Sequence, residues 1–202
     1  MKKQIVAIHG GDTFETYEEW MEYLKTKPLN FERISTPQQY WKTWLREGLG
    51  EEYEVVLPEM PNKQNAKYAE WKIWFETTIP FLNEEVLLIG HSLGGIFLAK
   101  YLAEHTFPKK IRALFLVAAP FDHADADYSL ADFVLPSSLN KVMEQAKTIF
   151  LYHSENDPIV PFADLEKYAE ALPTAVRRAF KDLGHFNTPE FPEIVKEIKN
   201  IY

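Results

Sequence analysis

The stretch Glu84-Glu85-Val86-Leu87-Leu88-Ile89-Gly90-His91-Ser92-Leu93-Gly94-Gly95-Ile96-Phe97-Leu98-Ala99 is an apolar run that stops at Gly90 and resumes as a helical pattern at Leu93. It reads as strand, sharp turn, helix. The turn, Gly90-His91-Ser92-Leu93-Gly94, has the G-x-S-x-G spacing of a nucleophile elbow, and the strand before it and helix after it supply the context that spacing needs. At such an elbow the serine is strained and its hydroxyl stands above the sheet, so side chains two residues to either side would collide with the backbone. The alternative is a glycine-rich turn carrying an unreactive serine. The remaining strand ends weigh against it.

Working toward the N-terminus, Lys67 to Thr78 reads as an aromatic-rich helix with Tyr68, Trp71, Trp74 and Phe75 at helical spacing, which is a core pattern. Tyr53 to Leu57 reads as a strand closed by Pro58 and Pro61. Gln4 to His9 is a short continuous apolar run ending in Gly10-Gly11, as expected of a buried parallel strand feeding a tight turn. Between these two strands lies a long connection, Asp12 to Glu52, with helical stretches at about Thr16 to Lys25 and Pro37 to Glu47. Toward the C-terminus, strands are predicted at Ile111 to Ala118, Thr148 to His153 and Val176 to Phe180, and helices at Leu93 to Glu104, Leu139 to Gln145, Phe162 to Leu172 and Pro189 to Ile201. Strand and helix alternate six times. That pattern predicts an α/β fold with a parallel sheet, right-handed crossovers and helices on both faces.

Composition narrows the chemistry. The 202 residues suit a single domain, 1–202. A net charge of −8 with no lysine or arginine run argues against a general nucleic-acid or anionic-membrane surface. The absence of cysteine removes disulfides, thiolate metal sites and a cysteine nucleophile. The N-terminal apolar run is too short for a signal peptide, and no stretch approaches the roughly 18 apolar residues of a membrane span, so the expected location is cytoplasmic.

In an open parallel sheet, sites gather beyond the carboxyl ends of the strands. One such end carries Ser92, another His153-Ser154-Glu155-Asn156-Asp157-Pro158-Ile159-Val160-Pro161, and the last Lys181-Asp182-Leu183-Gly184-His185-Phe186. Serine, acid, histidine is the chain order of the α/β-hydrolases. Ser92 is the expected nucleophile, His185 the base and Asp157 the acid that orients the imidazole. The backbone N–H groups of Leu93 and Gly11 are the expected oxyanion donors. Glu155 competes for the acid role, but the Pro-Ile-Val-Pro run after Asp157 turns the chain away and favours Asp157. Asp122 and Asp125 compete as well. The run Asp122 to Asp127 lacks the glycine and distal glutamate of a calcium loop and reads as solvated. His9 and His91 flank turns, His153 is expected to be buried, and His105 and His123 to be solvated. Neither a metal nor another cofactor is called for, and no basic cluster marks an anion pocket.

With these residues in view, the chain resembles the small α/β-hydrolases of the retinoblastoma-binding-protein type and the YdeN-like serine hydrolases. The matching pieces are Ile5 to Gly10, Met60-Pro61-Asn62 followed by the helix with Trp71, the Gly90 to Gly94 elbow, Ser154 to Pro161, and Gly184-His185-Phe186. The resemblance implies the triad Ser92, Asp157 and His185, a metal-free mechanism, and a three-layer sandwich around a minimal six-stranded parallel sheet in order 2-1-3-4-5-6. It does not carry over the Leu-x-Cys-x-Glu partner motif of the animal member, which a chain without cysteine cannot contain. The Asp12 to Glu52 connection is longer than the family's. A lid-like insertion is therefore expected at about residues 26–37, with Lys27 to Thr36 covering the oxyanion side. Trp20, Tyr40, Trp41 and Trp44 either pack helices onto the sheet or face the pocket, and Phe31 is the aromatic expected to be exposed. His9, Phe31, Trp41 and Phe121 are the candidate substrate contacts. The function expected is hydrolysis of a small-molecule carboxylic ester or amide, with a small or medium apolar acyl or aryl group. A catalytically silent binding protein and a non-hydrolytic enzyme of the same fold are the alternatives.

Overall fold

Continuous apolar runs such as Ile5 to Ile8 and Ala113 to Val117 have no polar face to give to water, and both become central strands buried on two sides. The computed structural model describes residues 2–28, 30–31, 35–36, 39–124 and 128–202. Six strands, β1 (Lys3–Ile8), β2 (Tyr53–Val56), β3 (Glu85–His91), β4 (Lys110–Val117), β5 (Ile149–Ser154) and β6 (Val176–Phe180), form one sheet in the order β2-β1-β3-β4-β5-β6. Every pairing is parallel, with Ile8 opposite Gly90 and His91 opposite Val117 at the end that carries the site. The fold is the predicted three-layer α/β-hydrolase arrangement.

Seven α-helices are described: α1 (Tyr17–Thr26), α2 (Trp41–Leu49), α3 (Tyr68–Thr78), α4 (Leu93–Glu104), α5 (Asn140–Gln145), α6 (Ala163–Ala171) and α7 (Pro192–Ile201). Alternate residues of the central strands feed two cores. Val6, Ile8, Leu88, Leu114 and Leu116 pack with Trp71 and Phe75 of α3 and Phe97 of α4 on one face. Ile5, Ala7, Leu87, Ile89, Phe115 and Val117 pack with Trp41 and Leu45 of α2 and Ile194 and Ile198 of α7 on the other. Period-2 alternation in the strands thus decides which helices lie on which side.

Three boundaries differ from expectation for local reasons. β3 runs through Gly90 and His91, because both keep pairing with β4, and the sharp turn is left to Ser92 alone. α7 starts at Pro192 and not at Pro189: the fixed φ of proline suits the first helical position, while Phe191 just before it is buried in the core. The helix expected from Pro37 begins at Trp41 and continues to Leu49, where Gly50, at φ 84°, ends it. α1 has a capping box: the Thr16 hydroxyl accepts from Glu19 N–H, and the Glu19 carboxylate accepts from Thr16 N–H. Of the insertion expected at 26–37, residues 29, 32–34 and 37 lie outside the described residues. Among the described residues, no helix is long and apolar enough to cross a membrane.

Candidate active site

Ser92 occupies φ 55° and ψ −126°, a conformation side-chain-bearing residues rarely adopt, at the junction of β3 and α4. The surroundings force it. A Cβ on Gly90 would lie 2.3 Å from the Gly94 carbonyl oxygen, and one on Gly94 would lie 2.6 Å from the carbonyl oxygens of both Ile8 and His9. The strand and helix therefore meet at a separation only glycine permits. The Ser92 N–H donates to the Val117 carbonyl at 2.8 Å, tying the turn to the end of β4.

The acid and the histidine come from the next strand ends. Asp157 follows β5 and its carboxylate is fully buried. Its Oδ1 accepts the N–H groups of Ile159 at 2.8 Å and Val160 at 3.1 Å, the turn that the Pro-Ile-Val-Pro run builds. Its Oδ2 lies 2.8 Å from His185 Nδ1. A carboxylate there makes Nδ1 the protonated nitrogen, which leaves Nε2 as an acceptor. The competitors are placed elsewhere: Glu155 is exposed, and Asp122 is held by the Lys167 ammonium at 2.9 Å. Asp125 lies outside the described residues. His153 is buried and points Nε2–H at the Val160 carbonyl at 3.1 Å; burial lowers its pKa, so the ring stays neutral beside Asp157.

Of four supporting side chains, His91 was expected to be structural, and Ser154, Asn156 and Lys42 were not singled out from the sequence. Ser154 Oγ accepts the Leu183 N–H at 3.0 Å and Asn156 Oδ1 accepts the Gly184 N–H at 2.8 Å, so the acid loop holds the two residues before His185. His91 Nε2–H donates to the His185 carbonyl at 2.8 Å. Lys42 on α2 donates in turn to His91 Nδ1 at 3.1 Å. Asn156 and Ser154 stand in the quoted motif around Asp157, so the signal was present. The position of Lys42 was not legible, because only the packing of α2 brings it there.

The N–H groups of Gly11 and Leu93 have no acceptor among the described residues, and both residues line a cavity with Ser92. Leu93 is the first residue of α4, where N–H groups lack helical acceptors and the dipole favours negative charge.

Ser92 stands between two cavities. The larger, about 750 Å³, is walled by Phe14, Tyr23, Leu93, Tyr128, Leu130 and Val160. The buried Tyr128 hydroxyl on this wall has no hydrogen-bond partner among the described residues. The smaller cavity, about 420 Å³, holds His185, Lys42, Lys63, Tyr40 and Asn187 beside Ser92. Two lysines therefore line the smaller cavity, which the absence of a basic cluster in the sequence did not foretell.

Several expected contacts are corrected. Trp41 is fully buried, edge-on to Phe191 at 5.5 Å, and belongs to the core because α2 lies flat on the sheet. Trp44 packs against the same core, Trp20 stacks with Phe14 and Tyr23, and only Tyr40 of that group reaches a cavity. Phe31 is 75% exposed, as expected, but lines neither cavity. Phe121 turns its ring onto Tyr168, 5.0 Å away, and also lines neither. His9 borders the smaller cavity with both nitrogens taken: Nδ1–H donates to the Gly10 carbonyl at 2.6 Å and Nε2 accepts the Met60 N–H at 2.9 Å. It holds the Met60-Pro61-Asn62 turn, whose Pro61 carbonyl accepts Trp71 Nε1–H at 2.8 Å. Glu19, Glu22 and Tyr23 of α1 flank the larger cavity, and nothing described between 27 and 36 does. His123, expected to be solvated, is exposed but reaches the rim of that cavity. Among the described residues, no group of three His, Asp or Glu side chains could hold a metal ion.

Sheet order, elbow and crossovers define an α/β-hydrolase. The chain belongs to the serine hydrolase family, whose model matches residues 33–193. It is 27% identical over 165 residues to the serine hydrolase RBBP9 of Rattus norvegicus, covering 80% of this chain and 86% of that one. It is 25% identical over 188 residues to the hydrolase-type YdeN of Bacillus subtilis (strain 168), covering 92% and 87%. The crystal structure of the B. subtilis ydeN gene product superposes with a TM-score of 0.78 at 21% identity, over 99% of this chain and 98% of that one. The meta-cleavage product hydrolase from Pseudomonas fluorescens IP01 is similar at a TM-score of 0.64 and 14% identity, over 98% and 90%.

Proposed function

We propose that this serine hydrolase cleaves carboxylic esters or amides through an acyl-enzyme on Ser92. The observation that carries the reading is the buried Asp157 carboxylate at 2.8 Å from His185 Nδ1, with His185 and the strained Ser92 bordering one cavity. His185 Nε2 takes the Ser92 proton as Oγ attacks the carbonyl carbon, and the carbonyl π pair moves onto oxygen. That oxyanion accepts the N–H groups of Gly11 and Leu93, which are fixed before the reaction and need no reorganisation. Collapse breaks the bond to the leaving group, which leaves with the proton from His185. Water then gives a proton to the same nitrogen as it attacks the acyl carbon, and collapse breaks the acyl–Oγ bond, His185 returning that proton to Ser92 Oγ as the acid is released. Asp157 holds the tautomer throughout and stabilises the imidazolium.

The two cavities suggest a division of the substrate. His185 borders only the smaller one, and the leaving group must lie on the side of its proton donor. The larger, apolar cavity then takes the acyl group, with room for a medium-sized chain. The test is a fluorophosphonate probe followed by intact mass. One adduct on the native chain and none on Ser92→Ala is expected; an unlabelled native chain that remains folded and hydrolyses none of a graded ester series would overturn the reading.

A further inference from the structure

The smaller cavity contains a charge the mechanism above does not use. Lys42 is partly buried beneath the rings of Trp41, 4.8 Å from Nζ, and Tyr40, 6.0 Å away. Among the described residues no carboxylate comes within ion-pair distance of it, and its one hydrogen-bond partner is His91 Nδ1. An ammonium has three N–H donors, so two remain for whatever enters the cavity. Supporting His91 does not by itself demand a cation, since a neutral donor would serve. Among the described residues, the titratable groups facing Lys42 are weak counter-charges at best: His91 and His9 have lowered pKa values from burial, His185 is committed to Asp157, Tyr40 meets the ammonium with its ring, and Lys63 on the rim is a second lysine. Asp12 lies on the same rim. A desolvated cation without an anion is costly in the free enzyme, and an anionic ligand removes that cost.

We propose that Lys42 anchors a carboxylate on the leaving group, so that the substrates are esters or amides whose departing alcohol or amine carries a carboxylate. This rests on the acyl-enzyme reading and on the leaving group occupying the His185 side. The Lys42 ammonium, framed by aromatic rings and with Lys63 lining the same cavity, suits a carboxylate. The site is a specificity determinant: the contact exists before and during the reaction, so it acts on KM more than on kcat.

The test uses matched acetyl esters, 3- and 4-acetoxybenzoate against 3- and 4-acetoxybenzamide, which differ in charge and little in shape. For the native chain, kcat/KM is expected to favour the benzoate of at least one isomer by about tenfold, the scale of a charge-assisted contact. Lys42→Met should reduce that preference to about one, mainly through KM, and Lys42→Arg should retain part of it. A native preference of one or less, or a Lys42→Met variant that slows both esters equally, would overturn the proposal and leave Lys42 as a support for His91. A second measurement separates this from failure of the acyl-enzyme reading: calorimetric titration of Ser92→Ala with 3- and 4-hydroxybenzoate and the corresponding amides. Benzoate binding lost in Ser92→Ala/Lys42→Met supports the anion site even if neither ester is cleaved; equal affinity for acid and amide refutes it.

Discussion

Replacing Asp157 by asparagine separates rate from stability more sharply than any other change at this site. The backbone contacts fall on Oδ1 and the shorter contact to the imidazole on Oδ2, although Oδ1 also lies 3.1 Å from His185 Nδ1. Oδ1 accepts Ile159 N–H at 2.8 Å and Val160 N–H at 3.1 Å, while Oδ2 lies 2.8 Å from His185 Nδ1. An asparagine keeps its oxygen on the two backbone donors and presents its NH₂ to the imidazole. A donor opposite Nδ1 requires a lone pair there, which moves the ring proton to Nε2, the nitrogen that must accept the Ser92 proton. The rate should fall by about four orders of magnitude, the size seen when the same tautomer is lost in the protease template. At about 1.36 kcal/mol per decade that is roughly 5.5 kcal/mol of transition-state stabilisation. Stability should change much less: one charge-assisted hydrogen bond gives way to a poorer one, about 1–2 kcal/mol, or roughly 2–8 °C in Tm for a chain of this size. The assay is kcat/KM on a 4-nitrophenyl ester beside urea denaturation, with ¹⁵N chemical shifts of His185 reporting the tautomer. A folded Asp157→Asn within tenfold of native kcat/KM would refute the tautomer argument and move the acid elsewhere. Glu155→Gln, exposed and outside the site, should stay within about twofold.

Trp41→Ala should destabilise the protein by about 3–5 kcal/mol in urea denaturation, the cost of deleting a fully buried large aromatic, while Trp41→Phe leaves the relative rates on an acyl-length series unaltered. Gly90→Ala puts a methyl 2.3 Å from the Gly94 carbonyl oxygen, so it should cost about 1–3 kcal/mol or more and abolish fluorophosphonate labelling of Ser92; retained labelling at the native rate would contradict the close approach. Lys42 titrates at about 8, lowered by burial. Above that pH the unfolded chain holds a proton the folded one has lost, so the stability of the native chain relative to Lys42→Met should rise from pH 8 toward 10.5, by up to about 3 kcal/mol, as judged from urea midpoints. A difference that stays flat across that window would mean Lys42 is solvated.

The sheet was legible because its strands are short unbroken apolar runs closed by glycine or proline, and a parallel sheet buried on both faces leaves few other ways to place them. That Asp157 and His185 meet beside Ser92 was legible because each follows a strand and strand ends converge by topology; their catalytic roles are those proposed above. What could not be read was anything set by the packing of helices in the β1–β2 connection. α2 carries Trp41 and Lys42 on consecutive positions, and the residue types alone leave the tryptophan open between core and pocket and do not single out the lysine. The observed rotation of α2 puts the indole in the core and the ammonium in the cavity. Phe31, in the connection, and Phe121, after β4, line neither cavity; an isolated aromatic has no periodicity to say which way it faces.

The supports around His185 explain why so few side chains suffice for the site. Its ring is fixed by Asp157, its carbonyl by His91, and the two residues before it by Ser154 and Asn156. The buried Phe186 behind it, packed on Phe180 and Phe191, anchors the following residue in the core between the sheet and α7. The loop carrying the base is therefore held by the loop carrying the acid and by the residue adjoining the nucleophile, His91. Chain neighbours of Ser92 and Asp157 thus hold the backbone at or just before His185. Lys42 enters this arrangement through His91, so an anion drawn to its ammonium would be sensed two hydrogen bonds from the carbonyl of His185, the proposed base. Binding and positioning then act through the same group, and the split between KM and kcat in Lys42→Met measures how much of each it supplies.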